Sequence, residues 1–157
     1  MIALGDLLCA FEVSGRPRPK GSLKGYCQKN AAHTVRFVEQ VEQGPVWRRK
    51  MALAAQADMK ARHGRLLGEV GPVAVRALFV YERPEEEGDW CWPIAITYGD
   101  TDKLIRNLGD ALTDSRLIMD DSQIVGWPDS WKVYGEQAYV RVQVYRAPEP
   151  GRLIDEW

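Results

Sequence analysis

The sequence predicts an α+β (mixed α/β) fold: a single small domain with a central sheet of about four strands and two main helices. Its 157 residues, of which 45% are hydrophobic and 27% charged, suffice for one hydrophobic core but not for two independent domains. Two segments have apolar residues at helical spacing, and four have the apolar and β-branched residues of strands. Their order is strand, helix, strand, helix, strand, strand, which is typical of an α+β domain.

The first half of the chain is predicted to form a strand, a loop and a helix. Residues 7–13 have the composition of a short strand, and the prolines and glycines of residues 14–24 require a loop. Residues 26–41 have weak periodicity and fit either extended segments or a short helix. Residues 46–62 are predicted to be helical, because apolar side chains recur there at helical spacing. This apolar stripe consists of Trp47, Met51, Ala54, Ala55 and Met59.

The second half of the chain is predicted to supply the rest of the sheet and the second helix. Residues 73–81 are a strand buried on one face, and residues 102–113 are a helix. The other predicted segments are an acidic loop at 82–92, a short strand at 94–97, strands at 124–133 and 138–146, and a C-terminal tail at 147–157. We therefore expect one folded domain over residues 1–146.

Charge is distributed unevenly along the chain, although the net charge is only −1. Residues 14–62 contain 11 Lys and Arg against 3 Asp and Glu, whereas the remainder contains 10 against 19. A basic segment can hold an anion and an acidic segment can hold cations. Two ordinary solvated faces would give the same composition.

The sequence contains no predicted membrane segment. The longest apolar stretch, residues 73–81, includes Arg76 and is far shorter than the roughly 20 residues of a spanning helix. Residues 1–10 carry Asp6 and no Lys or Arg, unlike a signal peptide. We therefore expect a cytoplasmic protein that does not associate with membranes.

The three cysteines, Cys9, Cys27 and Cys91, predict reduced and mostly buried thiols, because they are odd in number and widely spaced. A zinc site shared by Cys27, His33 and Cys91 is an alternative, but no CxxC pair supports it.

Two pairs of acidic residues lie close together in the sequence. Asp100 and Asp102 are two residues apart at the start of the second predicted helix, so an extended backbone would turn both carboxylates to one side. Asp120 and Asp121 come just before the strand that begins at Ile124. If this strand lies beside the strand preceding Asp100, the fold brings all these carboxylates together.

The second predicted helix has two distinct faces. Asp102 and Arg106 lie one turn apart on its polar face. This face can line a cleft while the opposite face packs against the sheet. The apolar face consists of Leu104, Ile105, Leu108, Ala111 and Leu112.

A cluster of carboxylates indicates a metal site, because like charges at close range destabilise one another unless a cation lies between them. Oxygen ligands suit Mg²⁺, with Mn²⁺ as the other possibility. Such an ion can activate water and stabilise the charge on a cleaved phosphodiester, and Arg106 can contribute a further positive charge. The structural alternative is that Asp102 caps the helix and that Asp120 and Asp121 are turn residues.

The acidic segment resembles the RusA family of Holliday junction resolvases. That family carries D-x-D-N, a lysine four residues after the second aspartate, then D-A-L, then D-D-x-Q-V. The corresponding residues here are Asp100-Thr101-Asp102-Lys103, Arg106, Asp110-Ala111-Leu112-Thr113 and Asp120-Asp121-Ser122-Gln123-Ile124. The spacing needs no gap, and the strong similarity covers about a sixth of the chain.

The resemblance implies a homodimeric, Mg²⁺-dependent endonuclease that cuts four-way DNA junctions in a bacterial or phage-infected cell. The essential acidic residues of the family fall on Asp100, Asp102 and Asp121, with Asp120 beside them as a further metal ligand. The catalytic lysine of the family falls on Arg106. Arginine keeps the positive charge but does not readily give up a proton, and Lys103 replaces the usual asparagine. Lys103 is therefore an alternative source of the proton.

The basic segment is predicted to bind DNA. Its lysines and arginines lie on a loop that we expect to be mobile and to follow phosphates without reading sequence, although an ordinary solvated loop has the same composition. The candidate DNA-binding residues are Arg16, Arg18, Lys20, Lys24, Lys103, Arg49 and Lys50. Trp90, Trp92, Trp127 and Trp131 are expected in the core or at an interface, with stacking on unpaired bases as the alternative.

Three functions are compatible with these residues. The first is a junction-resolving nuclease, and the second is a non-catalytic DNA-binding module in which the aspartates only cap and turn. The third is a metal-dependent nuclease for other branched or flap DNA. Proximity of the carboxylates of Asp100, Asp102 and Asp121 would separate the first function from the second.

Overall fold

The computed structural model describes residues 4–27, 35–39, 43–88 and 91–155. The strands are β1 (Leu7–Ser14), β2 (Leu23–Cys27), β3 (Val35–Glu39), β4 (Val73–Glu82), β5 (Ile124–Gly126), β6 (Trp131–Gly135) and β7 (Tyr139–Arg146). The α-helices are α1 (Gln43–His63), α2 (Thr101–Asp114) and α3 (Pro150–Asp155). The predicted α+β class and the two main helices, α1 and α2, are thus confirmed.

The central sheet has five strands in mixed orientation. β7 lies between β1 and β4 and is antiparallel to both, while β5 and β6 pair in parallel with β4 along its other side. β2 and β3 form a separate antiparallel hairpin, which settles the two alternatives for residues 26–41 in favour of extended strands where the structure describes them. The hairpin and the division of 124–133 account for the strands beyond the four expected.

The helices pack as their apolar patterns predict. α1 contacts β1 and α2, and its buried residues include most of the predicted stripe. Leu104, Leu108, Ala111 and Leu112 of α2 are fully buried in the same core as the inward side chains of β4 and β7. The exposed face of α2 is therefore the face that carries Asp102 and Arg106.

Two predicted strands are wrong in detail. Residues 94–97 do not form a strand: Ile96–Tyr98 is a 3₁₀ turn, and Ile94 and Ile96 are exposed. Both sides of β4 are already paired along its second half, by β6 and β7, so the sheet offers this segment no neighbour there.

The predicted strand 124–133 is divided into β5 and β6 by a turn at 127–130. Pro128 has no backbone N–H to donate, and Asp129 has a positive φ of 50°. The hydroxyl of Ser130 accepts a hydrogen bond from the backbone N–H of Ala77 at 3.1 Å, in the place where a continuous strand would pair with β4.

In the part of the chain that the structure describes, no helix is long and apolar enough to span a membrane.

Candidate active site

The first predicted carboxylate, Asp100, is placed at the start of α2. Its backbone is extended and occupies the N-cap position, but its side chain makes no capping hydrogen bond within the described residues. The carboxylate lies 3.3 Å from the Nζ of Lys103, and its side chain is 65% exposed. Asp100 therefore presents a carboxylate to solvent, at a position where helix caps usually turn it inwards.

The second carboxylate, Asp102, lies in the first turn of α2 and pairs with Arg106 as the helical spacing predicts. Their side chains are 3.6 Å apart and largely exposed. The alternative in which Asp102 is the helix cap is not what the structure shows, since Asp100 holds that position.

The third carboxylate, Asp121, packs against α2 two turns beyond Asp102. An ideal Cβ built on Gly109 would lie 3.6 Å from the Cβ of Asp121 and 4.0 Å from its Oδ2. Asp121 therefore lies directly over Gly109, at a distance that would leave a Cβ there in ordinary van der Waals contact. Asp102, Arg106 and Gly109 are four and three residues apart, so Asp121 lies along the same face of α2.

Asp120 has a structural role in the same segment. Its side chain accepts a hydrogen bond from the N–H of Ser122 at 2.9 Å, and Gln123 completes a capping box. The hydrogen bond from Ser122 lowers the pKa of Asp120. The amide of Gln123 also donates to the carbonyls of Glu69 and Gly71, so the D-D-x-Q pattern fixes this turn to the segment that leads into β4.

A single chain does not bring the three carboxylates of Asp100, Asp102 and Asp121 to one point. Among the described residues, no group of three or more Asp, Glu, His or Cys could hold a metal ion. β5 does lie beside β4, as expected, but it pairs with the start of β4 at Val73. The segment before Asp100 lies near the other end of β4. Seven residues of α2 separate Asp102 from Gly109, which is about 10 Å along the helix axis.

The carboxylates nevertheless fit a hard divalent cation of the Mg²⁺ type in the chemistry of their oxygen donors. Mg²⁺ is usually held by one or two carboxylates together with waters and substrate phosphates. Asp100 and Asp102 provide such a pair of exposed carboxylates at the start of α2. Asp121, which packs against α2 at Gly109, provides a third carboxylate two turns further along the helix surface. The site as built would thus need oxygens from the substrate to complete the coordination.

The loop that follows β1 is held to α2 by side-chain contacts, whereas the sequence predicted a mobile loop. Lys20 Nζ lies 2.7 Å from the carboxylate of Asp110, which also pairs with Arg48 of α1 at 3.0 Å. The side chain of the buried Asn107 donates hydrogen bonds to the carbonyls of Arg18 and Gly44. Asp110 and Asn107 were not predicted as site residues, and no spacing rule identifies such cross-links between distant segments.

Three of the predicted DNA-binding residues converge. Arg16, Arg18 and Lys50 line one open cleft of about 350 Å³, next to Trp47. Arg49 is exposed on the same helix as Lys50, and Lys24 is exposed on β2. Lys20 points instead to Asp110, and Lys103 to Asp100. The cleft therefore gathers positive charge from both the loop and α1.

The thiols only partly match the expectation. Cys9 is buried, and this burial together with the nearby Asp58 raises its pKa to about 12. Cys91 is exposed, so of these two cysteines only Cys9 matches the expectation of mostly buried thiols. The side chain of Cys27, together with His33 and with Trp90 of the tryptophan group, lies outside the described residues.

Comparison with protein-family models places the chain among the endodeoxyribonucleases, in the class of hydrolases that resolve Holliday junctions. The matching model is that of Endodeoxyribonuclease RusA, and it covers residues 15–145, which is most of the chain. The chain belongs to this family, and the resemblance drawn from its acidic segment is confirmed. The non-catalytic module is therefore not retained. No curated protein matches the chain.

Proposed function

We propose that this protein is a Mg²⁺-dependent endonuclease that resolves four-way DNA junctions by paired phosphodiester hydrolysis, with Mn²⁺ as a possible substitute. The observation that carries the proposal is the exposed face of α2. Asp102 and Arg106 follow one another along this face, and Asp121 packs on it at Gly109. Asp100 lies at the start of the helix, and its side chain makes no capping hydrogen bond within the described residues. This row of acidic and basic groups is suited to a phosphodiester and its metal ion.

In the proposed mechanism, Asp100 and Asp102 would hold a divalent ion at the start of α2 together with oxygens of the substrate phosphate, and Asp121, with Asp120 beside it, would supply further ligand oxygens two turns along the same helix. A divalent ion bound there would supply an activated water and neutralise charge on the phosphate. Arg106 lies between Asp102 and Asp121, and its guanidinium stabilises the negative charge that develops on the phosphate oxygens. Arginine acts here by charge and hydrogen bonding, since it does not readily give up a proton.

We propose that the cleft of Arg16, Arg18 and Lys50 holds the DNA backbone. Exposed cations on two elements can follow phosphates without reading the base sequence, so junction affinity should fall steeply with salt. Arg49, Lys24 and the ion-paired Lys20 and Lys103 would extend this surface, the last two by exchanging a carboxylate partner for a phosphate. We also propose a cytoplasmic location, because the DNA substrate lies there.

We further propose a homodimer, because two symmetric cuts require two centres related by a two-fold axis. Sedimentation equilibrium should give twice the mass of the 17.8 kDa chain. A monomer that makes paired cuts at the same concentration would refute this part of the proposal.

The decisive experiment is cleavage of a synthetic four-way junction in Mg²⁺, Mn²⁺ or chelator, with plain duplex and flap DNA as competing substrates. Asp100→Asn and Asp121→Asn should abolish cutting while junction binding survives. Asp129→Asn is the matched control: it removes one exposed carboxylate at a positive φ that asparagine tolerates. Full activity of either site variant would defeat the assignment of the carboxylates. Preferential cutting of flaps would favour the alternative substrate class.

Replacement of Arg106 tests whether the reaction needs a guanidinium group or only a positive charge. If positive charge alone suffices, Arg106→Lys retains or raises the rate of cutting, because lysine is the family residue at this position. A large loss in single-turnover cleavage would show that the planar guanidinium is specifically required.

A further inference from the structure

The segment that leads into Asp100 is a turn whose three successive carbonyl groups are all held by side chains. Arg16 donates to the carbonyl of Thr97 at 3.0 Å, and Tyr81 donates to that of Tyr98 at 2.7 Å. Lys132 donates to the carbonyl of Gly99 at 3.0 Å. The three donors come from different parts of the fold: the loop after β1, β4 and β6.

The turn is also constrained by packing. The rings of Tyr81 and Tyr98 meet edge to face at 4.8 Å, and the guanidinium of Arg16 lies 5.1 Å from the Tyr98 ring centre. Gly99 has a φ of 75° and a ψ of 164°, a conformation that is almost exclusive to glycine. Pro19 covers its α-carbon so closely that an added Cβ would lie 2.7 Å from the proline ring.

An ordinary surface turn does not require side-chain donors on three successive carbonyl groups. Carbonyls at the surface can be satisfied by water, whereas these accept bonds from one buried tyrosine and two cations. The residue that immediately follows is Asp100, whose side chain is exposed and does not cap α2. Fixing the backbone on one side of Asp100, with α2 on the other, sets the point and direction from which its side chain leaves the backbone and so limits the positions that its carboxylate can reach.

We propose that Arg16, Tyr81 and Lys132 are positioning residues that hold the 97–99 turn and thereby place Asp100 for cleavage. The inference rests on the proposed function, since it gives Asp100 a catalytic role. It adds Lys132, which no motif identifies, and gives Arg16 a role besides DNA binding. Lys132 is the most informative of the three, because it holds the carbonyl directly before Asp100 and lies outside the basic cleft.

The test compares Lys132→Met, which keeps the length of the side chain but removes the donor, with Lys132→Arg, which retains a charged donor. Lys60→Met, in the last turn of α1, removes the same charge elsewhere. Tyr81→Phe removes a second donor to the turn, together with the longer hydrogen bond of the same hydroxyl to the carbonyl of Pro17 at 3.4 Å. For each variant, hydrogen exchange of the peptide covering residues 96–104, junction Kd and single-turnover kcat are measured.

Lys132→Met should speed exchange in this peptide and lower kcat by about 10- to 100-fold, the effect expected for a displaced catalytic group. Junction Kd should change less than about twofold, since binding does not depend on Asp100 in the proposal. Lys132→Arg should restore most of the rate, Tyr81→Phe should resemble Lys132→Met, and Lys60→Met should behave like the wild-type protein.

Unchanged exchange in Lys132→Met would overturn the inference, as would faster exchange with an unchanged kcat. A loss of junction affinity equal to the loss of kcat would also overturn it, because Lys132 would then be a DNA contact. If the wild-type protein cuts no branched DNA, the proposed function fails. The exchange comparison would still decide whether the three side chains hold the turn.

Discussion

Replacing Gly99 by alanine tests the packing that sets the start of α2. The substitution places a Cβ 2.7 Å from Cγ and 2.9 Å from Cβ of Pro19, where carbon atoms normally approach to about 3.5–4.0 Å. It also forces a side chain into a backbone region that costs about 1–3 kcal/mol. Relief of the overlap by local shifts costs roughly another 1–3 kcal/mol.

Together, the backbone strain and the overlap should lower the free energy of unfolding by about 2–6 kcal/mol. This is a large part of the roughly 5–15 kcal/mol that stabilises a typical domain. For a chain of this size it corresponds to a fall in Tm of roughly 5–20 °C. Urea unfolding monitored by circular dichroism gives the free energy directly. Gly88→Ala is the matched control, because a Cβ at Gly88 would meet no atom within 4 Å. We expect it to change stability by less than about 0.5 kcal/mol.

The contribution of the contact can be separated from that of the backbone. In Gly99→Ala combined with Pro19→Gly, the overlap disappears while the conformational strain at residue 99 remains. The double-mutant cycle should therefore show a favourable coupling of about 1–3 kcal/mol. If Gly99→Ala is no less stable than Gly88→Ala, or if the cycle shows no coupling, the close approach of Pro19 does not exist in solution.

Three further substitutions and treatments have defined outcomes. Gly109→Ala should stabilise the protein to unfolding by about 0.5–1 kcal/mol, because the added Cβ meets its neighbours at ordinary distances and favours the helix; destabilisation would show that the helix surface has no room there. Peptide mapping after alkylation of the native protein at pH 8 should find Cys91 labelled and Cys9 protected, since Cys9 is buried with a pKa of about 12; early labelling of Cys9 would contradict its burial. Burial raises the pKa of Asp58, but hydrogen bonds from Arg62 and a backbone N–H lower it overall. Its stabilising contribution is complete above its ordinary value of 3.8 and is lost as the pH falls further. Asp58→Asn should thus reduce stability at neutral pH and flatten the stability profile below about pH 4, and an unchanged profile would refute the pairing.

The elements that the sequence predicted well are those with a long internal pattern. α1, α2, β1, β4 and β7 each have enough periodic residues for their type and burial to follow from local spacing. The strand expected at 94–97 failed because its formation depends on a free side of β4, which is a property of the whole sheet. The division at Ser130 depends likewise on a side chain bonding across to β4.

The predictions for the candidate site also succeeded where they depended on spacing within one element and failed where they depended on contacts across the fold. The pairing of Asp102 with Arg106 follows from helical geometry and is found. The position of Asp121 depends on where β5 pairs with β4, and that register places it against Gly109 instead of beside Asp100. The roles of Asp110 and Lys132 depend on contacts between segments far apart in the chain, which spacing along one element does not reveal.

The break at Ser130 also affects how the sheet meets other proteins. A long, flat, unpaired strand edge is a template on which a foreign strand can add and start aggregation. The outer side of β4 is covered by two short runs, β5 and β6, with a turn between them. An incoming strand would find three residues, then a turn with a proline, then five residues, and could not pair continuously. Hydrophobic side chains such as Val125 and Trp131 are exposed along this side, and the interruption itself disfavours the continuous strand addition by which such an edge would aggregate.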